Sequence, residues 1–239
     1  MTETVQPFAL RRSADRGGFD FGWLRTRHTF SFGDYFDPEW SGFSDLLVIN
    51  EDIVQPGQGF PTHGHRDMEI LTWVIEGAIE HQDSIGNGEI LRPGEIQRMS
   101  AGSGIRHSEF NPSASEALHL LQIWIQPARR GEKPGYEQKP YDPRSLVDRL
   151  ALIASPAGEG GTVSIGQDAR LLAGRLSEAT PVVHEVKPGR SAWIQVVKGR
   201  VETGGFELEI GDGLGIRSAQ SLAIVALEPS EILVFDLRG

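Results

Sequence analysis

Short apolar runs, separated by glycine and proline, recur along almost the whole chain. The clearest runs are 44–54, 69–77 and 119–127, and in the last of these Gln122 and Trp124 alternate with leucine and isoleucine. A repeat of two residues is that of a β-strand, and glycine-rich breaks between runs are typical of proteins with many short strands. The pattern therefore predicts an all-β protein.

Helical patterns are scarce in this sequence. The best candidate has Asp142 as its capping residue and Pro143 at the first helical position, an arrangement that favours a helix start. An apolar run closed by Pro156 follows soon afterwards, so the sequence predicts only a short helix here.

A polar, proline-rich segment at 129–143 divides the chain. Its composition is typical of a linker and predicts two domains, at 1–128 and 144–239. Residues 72–95 and 194–213 share the order of apolar run, glycine, alternating run and glycine turn. A duplicated small β-barrel would explain both this weak repeat and the length of the chain.

The composition narrows the class of partner. Acidic residues outnumber basic ones by 33 to 23, and the net charge of −10 disfavours direct binding to nucleic acid or to anionic membranes. The absence of cysteine excludes disulfides, thiolate metal sites and thiol catalysis. The sequence has neither a signal-peptide pattern nor an apolar stretch of membrane-spanning length, and we expect a cytoplasmic protein.

Two residue pairs carry the candidate chemistry. His63 and His65 are two positions apart, as are His107 and Glu109, so each pair shares one face of a strand. If the two strands are neighbours, three imidazoles and a carboxylate can converge on one first-row divalent metal. A single His-x-His pair is usually a surface feature, but two pairs, each behind a glycine-rich turn, favour a metal site. Glu69, at an even offset from His65, is the alternative to Glu109 as fourth ligand.

The other four histidines lack such a partner. We expect His28 to pack or hydrogen-bond in an amino-terminal arm and His81 to be a surface or structural residue. His119 fits a structural histidine with satisfied hydrogen bonds, and His184 stands alone in the second half.

These residues also carry a family resemblance. Gly57-x5-His63-x-His65-x3-Glu69-x7-Gly77 resembles the first cupin motif with its last spacing one residue longer, and Gly104-x2-His107-x3-Asn111 resembles the end of the second. The chain is similar to the bacterial type of the pirin family, whose members include proteins described as quercetin 2,3-dioxygenases. The matching stretches, which cover most of residues 15 to 127, are DRGGFDFGWL, HTFSFGDYFDP, LLVINEDIVQPGQGF, HGHRDMEILTWVIEGAIEHQDSIGN, IQRMSAGSGIRHSEFN and LQIWIQP.

The resemblance implies a bicupin, with two tandem jelly-roll-like β-barrels and little helix. It implies one divalent metal in the first barrel, held by His63, His65, His107 and Glu109, with Glu69 nearby but not coordinating. Iron as Fe(II) is the metal most associated with the family, and zinc, copper, nickel, manganese and cobalt are alternatives. The second barrel keeps no ligand pair and fits a degenerate cupin.

The resemblance also implies an activity. A flavonol such as quercetin, or another enolisable aromatic, would react with dioxygen and release carbon monoxide, with Glu109 accepting the proton of the substrate hydroxyl. The alternative from another class is a non-enzymatic, iron-binding redox sensor that acts through protein partners. A third reading is a metal-binding barrel that acts on an unrelated small molecule.

Overall fold

The computed structural model describes residues 7–239, so residues 1–6, where the predicted first domain begins, lie outside the described range. Antiparallel strands form nearly all of the regular structure. The strands of the first 140 residues are β1 (Phe8–Arg11), β2 (Gly17–Asp20), β3 (Leu24–His28), β4 (Leu46–Val54), β5 (Gly59–His65), β6 (Glu69–Glu76), β7 (Ile79–Asp83), β8 (Gly88–Leu91), β9 (Glu95–Ser100), β10 (Ile105–Phe110), β11 (Leu118–Ile125) and β12 (Gly135–Pro140).

The remaining residues continue the same pattern. Their strands are β13 (Ala151–Ser155), β14 (Val163–Ser164), β15 (Arg170–Leu176), β16 (Pro181–Val186), β17 (Arg190–Lys198), β18 (Val201–Thr203), β19 (Phe206–Leu208), β20 (Gly213–Ile216), β21 (Gln220–Ala226) and β22 (Ser230–Arg238). Within residues 7–239 the helices are single 3₁₀ turns, at Ser13–Asp15, Pro143–Leu146 and Glu159–Gly161. The all-β prediction is confirmed.

The predicted short helix is the second of these turns. Asp142 accepts a hydrogen bond from the Arg144 backbone N–H at 3.0 Å, and Pro143 occupies the first position. The turn ends at Leu146, because Val147 already has an extended backbone. In the described part of the chain, no helix is long and apolar enough to cross a membrane.

The chain folds into two compact units whose boundaries differ from the predicted domains. The first unit comprises Gly17–Tyr141 and Ser155–Asp168, and the second comprises the described residues up to Arg16 together with Asp142–Ala154 and Ala169–Gly239. Two segments account for the difference: the residues up to Arg16 join the second unit, where β1 pairs with β20, and Ser155–Asp168 joins the first.

The predicted linker at 129–143 also differs from the structure. Its central part is strand β12, which pairs residue by residue with β9 and so belongs to the first unit. Polar composition misled the interpretation, since β12 is an edge strand whose side chains are half-buried, and edge strands tolerate polar residues and proline.

Each unit contains a large and a small antiparallel sheet in matching order. In the first unit the large sheet runs β12-β9-β6-β11-β4-β3-β2 and the small sheet runs β5-β10-β7-β8. In the second unit the large sheet includes β1-β20-β17-β22-β15-β13 and the small sheet runs β16-β21-β18-β19. The repeat seen at 72–95 and 194–213 is therefore a repeat of strands, β6 to β8 and β17 to β19.

The interiors of the two barrels differ in chemistry. One apolar cluster fills the second barrel, and it includes Val182 from β16 together with Leu222 and Ile224 from β21. The equivalent strands of the first barrel, β5 and β10, carry three histidines and a glutamate, whereas β16 carries one buried histidine, His184. In the first barrel an apolar cluster that includes Leu24, Val54, Val74, Ile79 and Leu118 occupies part of the interior, and the polar site lies in the remainder.

Candidate metal centre

The pairing of β5 with β10 brings the two predicted residue pairs together. In the antiparallel register His107 lies opposite His63, and Ile105 lies opposite His65. Between His107 and Glu109 the regular pairing of the two strands is interrupted by a β-bulge or similar irregularity. Such a bulge lets one strand aim successive side chains differently from a regular strand.

Three imidazoles converge at this point. The ring centroids of His63, His65 and His107 lie 4.5 to 4.8 Å apart, and the Nε2 atoms of His63 and His107 are separated by 3.1 Å. Two nitrogens bound to one first-row ion lie roughly 3 Å apart. The Nδ1–H of His63 is positioned to donate to the Pro61 carbonyl at 2.8 Å, which leaves its Nε2 free for a ligand.

Burial keeps two of these rings uncharged. It lowers the pKa of His65 to about 4, and the neighbouring His63 acts in the same direction. Burial, with His63 and His65 close by, lowers the pKa of His107 to about 2. A metal binds the neutral imidazole, so at neutral pH these rings need not lose a proton first.

Glu109 lies beside the imidazoles in a fully buried position. Its Oε2 accepts a hydrogen bond from Gln122 Nε2 at 2.9 Å, whereas its Oε1 has no hydrogen-bond partner among residues 7–239. Burial raises the pKa of this carboxyl to about 7, although the Gln122 contact opposes the rise. A buried carboxylate oxygen without a partner is costly, and a cation at this position would satisfy it.

The donor set suits a divalent metal. One ring nitrogen from each of His63, His65 and His107 lies within 4.8 Å of the other two. Donor atoms of His81, His107 and Glu109 form a second such group, so His107 belongs to both. Imidazole and carboxylate are ligands for first-row divalent ions. The site therefore fits a divalent metal, and its donors do not by themselves choose among those ions.

Of the two alternatives predicted for His81, a surface or a structural residue, the structure agrees with the second, because the ring is fully buried against His107. Its Nδ1 lies 3.4 Å from His107 Nδ1, and its Nε2 lies 3.3 Å from the Asp83 carboxylate. With Asp83 accepting from Nε2–H, His81 Nδ1 is an acceptor and His107 Nδ1–H is the donor. These two hydrogen bonds, from Asp83 through His81 to His107, leave the Nε2 lone pair of His107 facing His63. His81 therefore orients His107 and does not need to be a ligand.

Asp83, as an ionised carboxylate, is the final acceptor of these two hydrogen bonds. Its oxygens accept hydrogen bonds from the backbone N–H groups of Ile85 and Asn87, both at 3.0 Å, and from the Asn87 side chain at 2.8 Å. Burial alone would raise the pKa of Asp83, but these bonds and the His81 contact outweigh it and lower the pKa. The spacing of His81 and Asp83 is the same as in the two predicted pairs, a signal that the sequence interpretation did not use.

Replacing His81 tests this orienting role. We expect His81→Phe, which keeps a ring but no nitrogen, to weaken divalent-metal affinity about 10–100-fold, the usual loss when a partner of a metal-binding histidine is removed. His81→Gln should recover part of the affinity because its side-chain oxygen can accept from His107. Competition against a chromophoric chelator measures both, and equal affinities for His81→Phe and wild type would contradict the orienting role.

Glu69 does not lie among the donor atoms. It begins β6 in the large sheet, accepts a hydrogen bond from Ser100 at 2.8 Å and lines a different cavity, of about 380 Å³. The even offset from His65 does not preserve a common face, because Asp67 has a left-handed backbone and the chain passes from the small sheet to the large one. Glu69 was expected near the metal site. In the structure it lines this separate cavity instead.

The remaining histidines lie outside the donor cluster. His28 packs among the rings of Phe19, Phe32 and Tyr35. His119 pairs with Glu51 at 3.0 Å. His184 is buried in the second unit, and its Nε2 has no hydrogen-bond partner in the described chain.

A cavity of about 340 Å³ opens onto the cluster. Its walls are largely aromatic or aliphatic, with Phe32, Phe60, Pro61, Ile70 and Trp124 beside the polar residues Asn50, Asp52, His63, His65, Glu109 and Gln122. The size lies at the lower end of the range for small-molecule sites. Gln122 and Trp124, which alternate with leucine and isoleucine in β11, face this cavity.

Gly59 permits the close approach of β5 to the bulge. A Cβ added there would lie 2.2 Å from the Glu109 carbonyl oxygen and 2.5 Å from Phe110 Cα, both backbone atoms that cannot move away cheaply. We expect Gly59→Ala to separate β5 from β10, which would lower both the metal affinity and the unfolding temperature.

The matched control lies on the same strand. Gly64 stands between His63 and His65, and a Cβ there meets nothing closer than 3.7 Å. We expect Gly64→Ala to keep the wild-type metal affinity, measured by the same chelator competition. Similar losses in the two variants would show that general damage to β5, and not its approach to the bulge, controls the site.

Comparison with known families identifies both halves of the chain. The family model described as Pirin matches residues 9–125, and the model described as the quercetinase C-terminal cupin domain matches residues 152–237. The two-barrel bicupin prediction is thus confirmed at the level of both the fold and the families.

Individual relatives agree with these matches. The protein named quercetin 2,3-dioxygenase from Escherichia coli K12 is 49% identical over 95% of this chain and 97% of its own length. A pirin-like protein from Caulobacter vibrioides is 38% identical over 92% of this chain and 95% of its own length. The crystal structure of the Escherichia coli bacterial pirin YhhW in complex with nickel(II) has a TM-score of 0.92 and 48% identity, and it covers 97% of this chain and 99% of its own. With these identities over nearly full length, the chain belongs to the pirin family.

Proposed function

We propose that the protein is a metal-dependent dioxygenase that cleaves flavonols such as quercetin, with one divalent ion held by His63, His65, His107 and Glu109. One observation carries the proposal: three imidazoles converge, and two of them, with the buried Glu109 and its unpartnered oxygen, line a cavity with aromatic walls. The names of the relatives support flavonol and dioxygen as substrates. Iron(II) is the metal we propose, because its two oxidation states suit chemistry with dioxygen.

Glu109 acts as the base in this proposal. When bound, the metal supplies positive charge that favours ionisation of the substrate's enolic hydroxyl and a centre for the reaction with dioxygen. Glu109 accepts the hydroxyl proton on Oε1, the same oxygen that would otherwise bind the metal, and Gln122 holds the other oxygen in place. Burial raises the pKa of this carboxyl in the metal-free protein, which favours its acceptance of a proton.

The cavity walls orient the flavonol and limit the access of water. Trp124 packs edge-on against His65, with ring centroids 5.0 Å apart, and Phe32 packs edge-on against Trp124 at 5.2 Å. Phe60 lines the same cavity. Flat aromatic substrates gain from such contacts, and the apolar walls keep the reactive enolate away from bulk water.

The net reaction balances without a further reductant. Two carbon–carbon bonds of the central ring break, both atoms of dioxygen enter the product ester, and the carbon that bears the enolic oxygen leaves as carbon monoxide. In this proposal the second barrel, whose interior is filled with apolar side chains, is a degenerate cupin without a metal.

Anaerobic purification with metal analysis, followed by oxygen uptake on addition of quercetin, tests the proposal. We expect one bound divalent ion per chain, stoichiometric oxygen consumption with release of carbon monoxide, and loss of uptake after chelation. Restored uptake when iron is returned to the chelated protein would identify the metal. Bound metal without any uptake would retain the metal centre and reject the flavonol activity.

A further inference from the structure

The cavity contains unpartnered polar atoms in addition to Glu109. Asn50 Oδ1, Asp52 Oδ1 and Trp124 Nε1 are all buried, and none has a hydrogen-bond partner within residues 7–239. Asn50 and Asp52 are 4% and 5% exposed. Each unsatisfied buried polar group weakens a folded protein, so three around one cavity call for a functional explanation.

The strand geometry explains how Asn50 and Asp52 come to line the cavity. Alternation along β4 places Asn50, Asp52 and Val54 on one face, with Val54 in the apolar cluster and the two polar residues beside the cavity. β4 belongs to the large sheet, whereas β5 and β10 belong to the small one. The polar pair and the imidazoles therefore line the cavity from different sheets.

The protein's own side chains leave these acceptors open. Gln122 lies opposite Asn50 across the ladder, but its oxygen accepts from Thr72 at 3.2 Å and its nitrogen donates to Glu109. Thr26 lies opposite Asp52 across the ladder and contributes a side-chain hydrogen bond to its carboxylate, but Asp52 Oδ1 keeps no partner of its own. A ligand that donates hydrogen bonds would satisfy these acceptors.

We infer that Asn50 and Asp52 form a hydroxyl-binding subsite, which makes the cavity select polyhydroxylated aromatic substrates over aromatics that carry only the enolic hydroxyl. Ring hydroxyls of the substrate donate to Asn50 Oδ1 and Asp52 Oδ1, and Trp124 Nε1–H donates to an oxygen of the same ligand. The inference rests on the proposed function and specifies its substrate class.

The chemistry of such a subsite gives strong selection. A site built to hydrogen-bond a hydroxyl rejects an analogue without it, because the buried protein groups then stay unpaired. A purely apolar pocket of the same size would discriminate only weakly between the two ligands. The subsite thus predicts a preference that depends on Asn50 and Asp52 and not on the metal.

Ligand binding without turnover tests the inference. Zinc-loaded protein under nitrogen is titrated with quercetin and with 3-hydroxyflavone, which keeps the enolic hydroxyl but lacks the others, and each Kd is read from the ligand absorbance. We expect wild type to prefer quercetin by at least about tenfold. Asp52→Leu should lower this ratio about tenfold and Asn50→Leu several-fold, because each removes one acceptor at similar volume.

Stability provides a second readout. A leucine at either position removes an unsatisfied buried polar group, so we expect unfolding temperatures equal to or above wild type. If a leucine variant does not fold, Asp52→Ala and Asn50→Ala take its place and should lower the ratio in the same way. Glu51→Gln is the control: this residue lies on the same strand, pairs with His119 and does not line the cavity.

The outcomes separate the two proposals. Loss of preference in the Asp52 and Asn50 variants, with Glu51→Gln unchanged, supports the subsite. Binding of both flavonols with an unchanged ratio in every variant overturns the subsite and leaves the dioxygenase proposal intact. Failure of both flavonols to bind metal-loaded wild type overturns both.

Discussion

His107→Ala is expected to abolish stable metal binding and, with it, quercetin-dependent oxygen uptake. His107 is the ring that contacts both His63 and His65, and it is also the partner of His81. Its removal takes away one metal donor and also the ring that the hydrogen bonds from Asp83 and His81 hold in place. We expect metal affinity to fall at least about 100-fold, which exceeds the usual loss from removing an outer partner. Metal content after gel filtration and chelator competition measure the loss.

A matched variant separates this effect from the loss of any histidine. His119→Gln changes a histidine that lies outside the donor cluster and can keep a hydrogen bond to Glu51. We expect it to retain the metal and the oxygen uptake. Unfolding of both variants in metal-free form shows whether His107→Ala has damaged the barrel itself. Wild-type metal content in a folded His107→Ala protein would remove His107 from the proposed ligand set.

Glu109→Gln should separate metal binding from proton transfer. The amide keeps the size of the side chain and one oxygen donor, so we expect metal to remain bound with reduced affinity. Loss of a general base typically slows turnover about 10²–10⁴-fold. We therefore expect kcat for quercetin to fall by that factor in metal-saturated protein, with a smaller change in KM. Steady-state oxygen uptake with the metal content verified for each sample makes the measurement.

Glu69→Gln is the corresponding control. Glu69 is also buried, but it bonds to Ser100 and lines the other cavity. We expect turnover close to wild type. If Glu69→Gln lost turnover while Glu109→Gln kept both metal and full turnover, the roles assigned to the two carboxylates would be reversed.

The sequence predicted the strands well, and the proposed donor residues could be singled out from it, because both depend on local rules. Alternation is a property of the extended backbone, and residues two positions apart in a regular strand share a face whatever the fold around them. This is why His63 with His65, and β11 with its alternation, could be found without coordinates. The sequence did not reveal which face of β11 borders the site: Gln122 and Trp124 line the cavity.

The errors arose where tertiary structure overrides local pattern. Glu69 seemed to share a face with His65, but the left-handed backbone at Asp67 breaks the alternation. The polar neighbours of His81 left a surface and a structural position open, and Asp83, one of those neighbours, holds it inside the barrel. Asp52 and Asn50 were not singled out, because only the three-dimensional cavity brings them near the imidazoles.

The pairing of β1 with β20 bears on how the nascent polypeptide acquires its structure. β1 must wait until β20, about two hundred residues further along the sequence, has been synthesised. Such distant pairings are slow to form, and an unpaired strand invites association with other chains in the meantime. An expression fragment cut at residue 143 would lack the Ser155–Asp168 segment of the first unit, and one that begins there would lack β1. Neither barrel can therefore be completed by a contiguous half of the gene product.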